Sequence, residues 1–255
     1  MRFTRTGSLL LALALAAACA PAPAPPPAST STKRVDPATT GTLSGRITFA
    51  GTAPAAETLR MSTDPACVAG AGPNPQSDAV LIDATGGLQN VFIHIKDGLD
   101  PELGFDAPTT PVVLDQKGCI YTPRVVGLMV GQPLEVRNSD PTMHNVHALP
   151  TKNQEFNRAQ MMAGIKNTEV FTVPEVMVRF MCNVHNWMAS YVGVVAHPYF
   201  AVTDAAGRFE IKGLPPGTYT IEAWHEKFGT REQRVTIATG QTATFDAAFQ
   251  AAAGG

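Results

Sequence analysis

This 255-residue sequence has little charge, and the charge it has is nearly balanced. Only 16% of the residues are charged, the formal net charge is -2, and no run of lysine or arginine occurs. Proteins that bind nucleic acid need a basic patch to contact the phosphates. The composition therefore gives no support for nucleic acid as a partner.

Long hydrophobic runs are also missing. The main apolar stretch, Ser8 to Ala18, is too short for a permanent transmembrane helix, which needs about 20 residues. Arg2 and Arg5 precede it, and it ends in "LALAAACA", which is typical of an export signal with a lipoprotein-type cleavage site. We therefore predict a signal peptide over residues 1–18 and a lipidated N-terminus at Cys19. A plain secretory signal is the alternative.

The segment that follows has almost nothing to bury. Residues 19–40 are rich in Pro, Ala, Ser and Thr, which predicts an extended, solvated tether. We expect an exported protein, periplasmic or at the cell surface, whose contact with the bilayer comes from the lipid anchor alone. Because Ala20 gives no acidic retention signal, the outer membrane is the expected destination in a cell with two membranes.

A sustained helical periodicity is absent as well. Apolar and polar residues instead alternate with period two in short segments separated by turn residues, which predicts an all-β fold class. Examples are "NVFIHIKDG", "QPLEVRNSD", "VMVRFMC", "SYVGVVAH" and "GTYTIEAW". Roughly 215 residues follow the tether, enough for one large or two small domains.

The pattern changes near His197 and Pro198, which predicts a domain boundary. Beyond it, the run D-x-x-G-x-F-x-I-x-x-L-P-P-G-x-Y-x-I, from Asp204 to Ile221, resembles the carboxypeptidase regulatory-like domain, a small transthyretin-like β-sandwich. The resemblance implies an accessory module over residues 198–250 that carries no chemistry of its own.

Three possible metal ligands share the short stretch "RFMCNVHNWM", Arg179 to Met188. Alternation along the preceding strand points Cys182 inward at the strand's end, and His185 and Met188 follow on the same turn. Three ligands on one tight loop can converge on one ion. The alternative is an inert core cysteine among ordinary loop residues.

Two histidines upstream compete for a fourth position. His144 and His147 stand three positions apart, an odd offset, so an extended segment points them to opposite faces. His144 shares its face with Val146 and Ala148, whereas His147 shares its face with Asn145. We therefore predict His144 as the inward ligand and no metal role for His147.

These segments together resemble the cupredoxin family, and most closely its amicyanin and pseudoazurin type. The resemblance rests on Tyr121, Pro123, Gly131, Leu134, Val136, Asn138, Asp140, the following "HNVH" and the later C-x-x-H-x-x-M. It implies a Greek-key β-sandwich, placed here at residues 41–197 with a long N-terminal extension. The predicted fold is thus a cupredoxin-like sandwich followed by a small transthyretin-like one.

The resemblance also implies a copper site. Its ligands would be His144, Cys182, His185 and Met188, and Asn145 would steady the ligand loop without binding the metal. Two imidazoles, a thiolate and a weak axial thioether suit copper and its redox cycling, whereas zinc gains little from a thioether. This set leaves no position for a substrate, so we expect no enzyme but a carrier of single electrons for a redox partner protein such as a cytochrome or an oxidoreductase.

Two other functions stay open. A copper-binding or copper-delivery protein would use the same ligands without a redox partner, and an adhesive or carbohydrate-binding surface protein would have lost its metal. Met161 and Met162, with Met143 and Trp187, are either an apolar patch at the edge of the site, where redox partners dock in related proteins, or simple gap fillers in a core.

Four cysteines are few enough to account for one by one. With Cys19 assigned to lipid and Cys182 to copper, Cys67 and Cys119 remain. An exported compartment is oxidising, which favours a disulfide between these two.

Residues 41–118 are ambiguous. Their opening, "GTLSGRITFAGTAPA", fits the first strand of the cupredoxin sheet and equally the first strand of a second regulatory-like sandwich. His94 alternates outward in "VFIHIK" and has no neighbour in sequence of a metal-ligating type.

Overall fold

A computed structural model of the protein describes residue 31 and residues 33–251. The predicted signal peptide, Cys19 and most of the tether lie outside the described residues. Within them the chain forms seventeen strands, one short α-helix and one 3-10 helix, so the predicted all-β class is confirmed. No helix among the described residues has both the length and the apolarity to cross a membrane.

The elements have the following bounds. The 3-10 helix is Pro37–Thr39 and α1 is Pro65–Ala71. The strands are β1 Gly41–Phe49, β2 Phe92–Asp97, β3 Val112–Gln116, β4 Tyr121–Thr122, β5 Val125–Met129, β6 Pro133–Asn138, β7 His144–Leu149, β8 Phe156–Gln160, β9 Lys166–Val170, β10 Glu175–Met181, β11 Ala189–Val195, β12 Phe200–Val202, β13 Arg208–Leu214, β14 Gly217–His225, β15 Gly229–Ile237, β16 Thr242–Thr244 and β17 Ala247–Phe249.

These strands build two β-sandwiches. In the flanking sandwich, sheet β13-β1-β16, with β17 also on β1, faces sheet β12-β2-β14-β15 around a core that includes Ile47 and Ile221. In the inserted sandwich, sheet β4-β3-β6-β9 faces sheet β5-β11-β10-β7-β8 around a core that includes Leu114 and Phe180. Alternation along each strand places these apolar side chains on its inner face.

The order of the strands shows that one sandwich is inserted into the other. β1 and β2 precede the inserted sandwich in sequence, yet β1 pairs with β13 and β2 pairs with β14. The predicted boundaries at 41–197 and 198–250 therefore need correction, because residues 41–97 supply two strands to the flanking sandwich. The pairing partners lie far along the chain, as with Gly45 opposite Phe209, and local alternation does not specify a partner.

A third apolar cluster joins the two sandwiches. Phe92 of β2 and Trp224 of β14 belong to it, together with Tyr191 and Val195 of β11. The rings of Tyr191 and Trp224 have centroids 5.0 Å apart. The sheets that carry β2 and β11 thus pack face to face through this cluster.

The same interface buries polar groups. His94 Nε2 lies 3.1 Å from Glu222 Oε1, and Arg124 forms ion pairs at 2.6 Å with both Asp78 and Glu226. The side chain of His94 does leave the core of its own sandwich, as alternation predicted. It is nevertheless only 6% exposed, since it lies on the face of β2 that packs toward the inserted sandwich.

The end of the predicted tether is docked rather than solvated. Lys33 forms a parallel β-bridge with Leu103, and its ammonium group contacts the carboxylate of Asp100. The described part of segment 19–40 therefore contacts the loop after β2. Composition alone did not predict this contact, because it does not show that Lys33 has a carboxylate partner in that loop.

Candidate metal centre

His144, Cys182 and His185 come together at one end of the inserted sandwich. His144 is the first residue of β7, Cys182 directly follows β10, and His185 lies in the turn before β11. The two strands are neighbours, with Met181 opposite His147. One ligand atom from each of the three side chains lies within 4.8 Å of the other two.

Met188 lies at the same end. A hydrogen bond of 2.9 Å from its N–H to the carbonyl of His185 closes the turn. Met188 and His185 are each 1% exposed, and His144 and Cys182 are fully buried. All four predicted ligands are therefore shielded from water.

The two imidazoles face each other through Nδ1. His144 Nδ1 and His185 Nδ1 are 2.9 Å apart, and His185 Nδ1 is 3.8 Å from the sulfur of Cys182. At this distance one nitrogen donates a proton and the other accepts it. The three possible ligand atoms, the two Nδ1 nitrogens and the sulfur of Cys182, thus surround one small space.

An aspartate supports each imidazole on its other side. His144 Nε2 is 2.9 Å from Asp140 Oδ2, and His185 Nε2 is 3.1 Å from Asp64 Oδ2. A carboxylate accepts hydrogen bonds, so Nε2 of each ring carries a proton and Nδ1 of each ring faces the shared space. The proton between the two Nδ1 atoms is a further one, which makes one of the two rings an imidazolium. Metal-binding histidines usually have such a partner.

These contacts change the ionisation of the ligands. Burial opposes charge on His144, but Asp140 and the nearby thiol of Cys182 outweigh it and raise the pKa of His144 to about 9. Burial also opposes ionisation of Cys182, yet hydrogen bonds with His144 and the N–H of Asn145 lower the pKa of this thiol. Burial, with the neighbouring charge of His144, lowers the pKa of His185 despite the contact with Asp64. The metal-free site therefore favours a charged His144, a neutral His185 and a thiol prone to ionise.

Asn145 connects the two ligand-bearing segments. Its Oδ1 accepts a hydrogen bond of 2.7 Å from the N–H of Asn183, and its own N–H points at the sulfur of Cys182 from 3.5 Å. Its Nδ2 donates to Asn157 at 2.6 Å. These bonds are suited to the loop-steadying role predicted for it.

His147 points away from the other three side chains. Its Nδ1 is 2.9 Å from Asn183 Oδ1, and its Nε2 is 2.7 Å from the exposed carboxylate of Glu155. Of the two competing histidines, the structure therefore brings His144 to Cys182 and leaves His147 at the rim.

The donor set fits copper. Two imidazole nitrogens, one thiolate and a buried thioether nearby are the ligands of a trigonal copper site with a weak axial contact. Zinc would accept the first three ligands but gains little from the fourth.

A disulfide joins Cys67, in α1, to Cys119, in the turn between β3 and β4. The sulfur of Cys67 lies 3.6 Å from His185 Nε2. Trp187 donates from Nε1 to the carbonyl of Cys119 at 2.9 Å, and its ring is 5.1 Å from that of His185. The pair of cysteines therefore covers the metal centre as well as closing a loop.

Sequence reasoning missed Asp64 and Asp140 as parts of this site. Asp140 stands four residues before His144, and this short separation could have indicated a contact between the two side chains. Asp64 shows only the pattern of a helix N-cap followed by proline. Nothing local indicates its contact with His185, which lies 121 residues further along the chain.

Residues 191–250 match the carboxypeptidase regulatory-like domain. This range begins within β11 and includes β12 to β17 of the flanking sandwich. No curated protein matches the chain.

Solved structures similar to part of this chain include a nitrite reductase, a cupredoxin and an amicyanin. A Cu-containing nitrite reductase (NirK) from Thermus scotoductus SA-01 is 18% identical over 38% of this chain and 25% of its own, with a TM-score of 0.32. A purple cupredoxin from Nitrosopumilus maritimus is 23% identical over 29% of this chain and 81% of its own, with a TM-score of 0.26. A reduced amicyanin mutant is 19% identical over 40% of this chain and 97% of its own, with a TM-score of 0.31.

The chain thus spans only 25% of the length of the nitrite reductase, but most of the length of the two smaller proteins. It contains a carboxypeptidase regulatory-like domain, and the solved structures to which it is similar include cupredoxins.

Proposed function

We propose that this protein binds one copper ion in the inserted sandwich and carries single electrons between redox partners. The ligands are His144, Cys182, His185 and Met188. The observation that carries the proposal is the approach of His185 Nδ1 to both His144 Nδ1 and the sulfur of Cys182 in a buried space, with each Nε2 on a carboxylate. Copper, when bound there, supplies a one-electron redox couple.

The surrounding residues keep the site the same before and after electron transfer. Hydrogen bonds to Asp64, Asp140 and Asn145 hold the two imidazoles and the ligand loop in place. A ligand set held by such partners moves little, so little energy is spent on rearrangement. The burial of all four ligands leaves no access for a substrate, which supports a carrier rather than an enzyme.

Copper delivery is the second candidate, and the same burial counts against it. A protein that hands its metal to another must let a ligand of the acceptor reach the ion. Each of the four ligands is at most 1% exposed. The adhesive or carbohydrate-binding alternative has no supporting observation among the described residues.

A redox partner would dock on the apolar side chains around the two histidines. Met143 and Val184 directly precede the histidine ligands in sequence and are 37% and 46% exposed. Met161 and Met162, which follow the strand paired with β7, are 58% and 63% exposed. This exposure supports the apolar patch over the alternative of core gap fillers.

The compartment proposed for this function is outside the cytoplasm, with the protein held at the membrane by a lipid on Cys19. The disulfide between Cys67 and Cys119 supports an oxidising compartment.

Titration of the metal-free protein with Cu(II) tests the proposal. One equivalent should produce an intense visible band from thiolate-to-copper charge transfer, and one-electron reduction should remove it reversibly. Cys182→Ser should lose the band even where some copper still binds, because the thiolate provides the short covalent bond. Met162→Leu, which removes an exposed thioether, should keep it.

Two other results would exclude electron transfer. A colourless wild-type protein that takes only Cu(I) would support delivery instead. A wild-type protein that binds no copper would contradict both functions.

A further inference from the structure

We propose that Asp64 is a positioning residue for the metal centre, whose carboxylate holds the imidazole of His185 with Nδ1 directed at His144 and Cys182. Asp64 lies between β1 and β2, ahead of all strands of the inserted sandwich in sequence. The inference rests on the proposed function and adds to it a group from a distant part of the chain.

The carboxylate of Asp64 is itself held firmly. Its Oδ1 accepts a hydrogen bond of 2.8 Å from the N–H of Ala66, at the start of α1. Its Oδ2 accepts one of 2.7 Å from the hydroxyl of Thr142, in the loop between β6 and β7. His185 Nε2 lies 3.1 Å from the same Oδ2. Since two different elements fix this carboxylate, it offers the imidazole a rigid partner.

This contact selects one tautomer of His185. An ionised carboxylate can only accept, so the proton of the neutral ring must sit on Nε2. Nδ1 then keeps a free lone pair, 2.9 Å from His144 Nδ1 and 3.8 Å from the sulfur of Cys182. The other tautomer would place a proton on the nitrogen that faces the metal.

The segment that carries Asp64 is covalently attached to the inserted sandwich. Cys67, three residues further on, is bonded to Cys119. The N–H of Cys119 donates to Asp140 at 2.8 Å, and Asp140 supports His144. The carboxylates behind the two histidines are thus connected through one disulfide.

The same segment limits access to His185. Its Nε2 is in contact with Asp64 and with the sulfur of Cys67, both from this segment. As a result His185 is 1% exposed.

Asp64→Ser tests the inference, and Asp36→Ser is the matched control. Serine is a good N-cap, so the variant keeps the cap of α1 but its side chain is too short to reach His185. Asp36 caps the 3-10 helix in the same way, by accepting from Ala38 at 2.9 Å, and lies before β1. Asp64→Ser should weaken Cu(II) binding by about 10- to 100-fold, the usual effect of losing such a partner, and should shift the reduction potential. Asp36→Ser should change neither.

A second readout needs no copper. NMR of the ring nitrogens in the metal-free protein reports which of them carries the proton. In a His144→Ala background, where no neighbouring ring donates to Nδ1 of His185, the parent protein and Asp36→Ser should have it on Nε2 of His185, and Asp64→Ser should show a mixture. Asp64→Asn, whose amide can donate to Nε2, should move the proton to Nδ1.

Unchanged copper affinity in Asp64→Ser would overturn the inference, and so would an unchanged tautomer. Should the wild type bind no copper, the proposed function fails, and the tautomer alone decides whether Asp64 orients His185.

Discussion

His144 and His147 are three positions apart on one strand, but they differ in burial and in the groups that their imidazoles contact. His144 is fully buried and faces His185, whereas His147 bonds to Asn183 and Glu155 near the surface. The two residues therefore form a matched pair for mutagenesis.

We expect His144→Ala to open a position at the copper, so that the visible band changes and added imidazole enters. His147→Ala should leave the band and the copper affinity unchanged, because it removes an imidazole that does not face the metal. Absorption spectra during copper and imidazole titrations measure both effects. Loss of the band in His147→Ala, with its retention in His144→Ala, would reverse the assignment of this ligand.

Glu175 is a residue whose charge stabilises the fold away from the metal centre. It is 6% exposed, and its carboxylate accepts hydrogen bonds of 3.0 Å from the N–H groups of Lys152 and Asn153. Burial opposes its ionisation, but these bonds outweigh burial and lower the pKa of Glu175 to about 2. A group with a depressed pKa stabilises the folded state above its unfolded pKa and loses this contribution as the pH falls through its folded pKa.

Glu175→Gln should therefore lower the free energy of unfolding at neutral pH by on the order of 2 kcal/mol. The difference from the wild type should shrink as the pH falls from 4.5, the ordinary pKa of a glutamate, toward 2. Urea unfolding at a series of pH values measures this difference. A difference that stays constant with pH would contradict the assigned role of the charge.

Among the elements, α1 shows how a short helix is held beside the candidate metal centre. It has seven residues, too few to be stable alone. Asp64 caps its start, Pro65 is its first residue, and Gly72 ends it with φ at 83°, a region that glycine adopts without strain. The disulfide then holds this helix against the inserted sandwich.

The close packing of the two sandwiches depends on glycines in the inserted sandwich. A Cβ added at Gly193 would lie 2.4 Å from the ring of Phe92, and one added at Gly127 would lie 2.4 Å from the ring of Phe200. Glycine weakens a strand interior, so its presence there marks the close approach of another group.

Gly193→Ala should consequently destabilise the protein by about 1–3 kcal/mol, the usual effect of overpacking. In a Phe92→Leu background the same change should have a smaller effect, because the shorter side chain leaves room for the methyl group. Thermal unfolding of the four proteins in this cycle gives the coupling between the two positions. Equal effects in both backgrounds would show that the ring is not the obstacle.

For the whole molecule, the insertion separates the candidate metal centre in sequence from the N-terminal segment where the lipid anchor is predicted. The predicted ligands lie at the start of β7 and in the turn between β10 and β11, whereas the described end of the predicted tether leads into the flanking sandwich at β1. Removing the anchor should therefore leave the metal centre intact.

Cys19→Ser should move the protein from the membrane fraction to the soluble fraction, because it removes the residue that we predict to carry the lipid. Cell fractionation followed by copper titration of both forms measures this change, and the visible band should be the same in each. A wild-type protein that is already in the soluble fraction would contradict the lipid anchor.

Several features of this protein were predictable because they depend on neighbours in sequence. Alternation with period two predicted the all-β class, and spacing on one turn indicated Cys182, His185 and Met188 together. The same alternation separated His144 from His147. In each case the residues that decide the outcome lie within a few positions of one another.

Other features were decided only by the tertiary structure. The sequence by itself determined which face of each strand is apolar, but not what covers the other face. His94 is an example: its side chain points away from the core of its own sandwich, yet it is buried because the inserted sandwich packs against that face. It contained the cap motif of Asp64, but not the contact of that carboxylate with His185. The physical reason is that each of these features depends on contacts between residues far apart in the chain. Strand pairing, the insertion of one sandwich into the other and the contact of Asp64 with His185 are all of this kind, and local patterns specify no partner at such a distance.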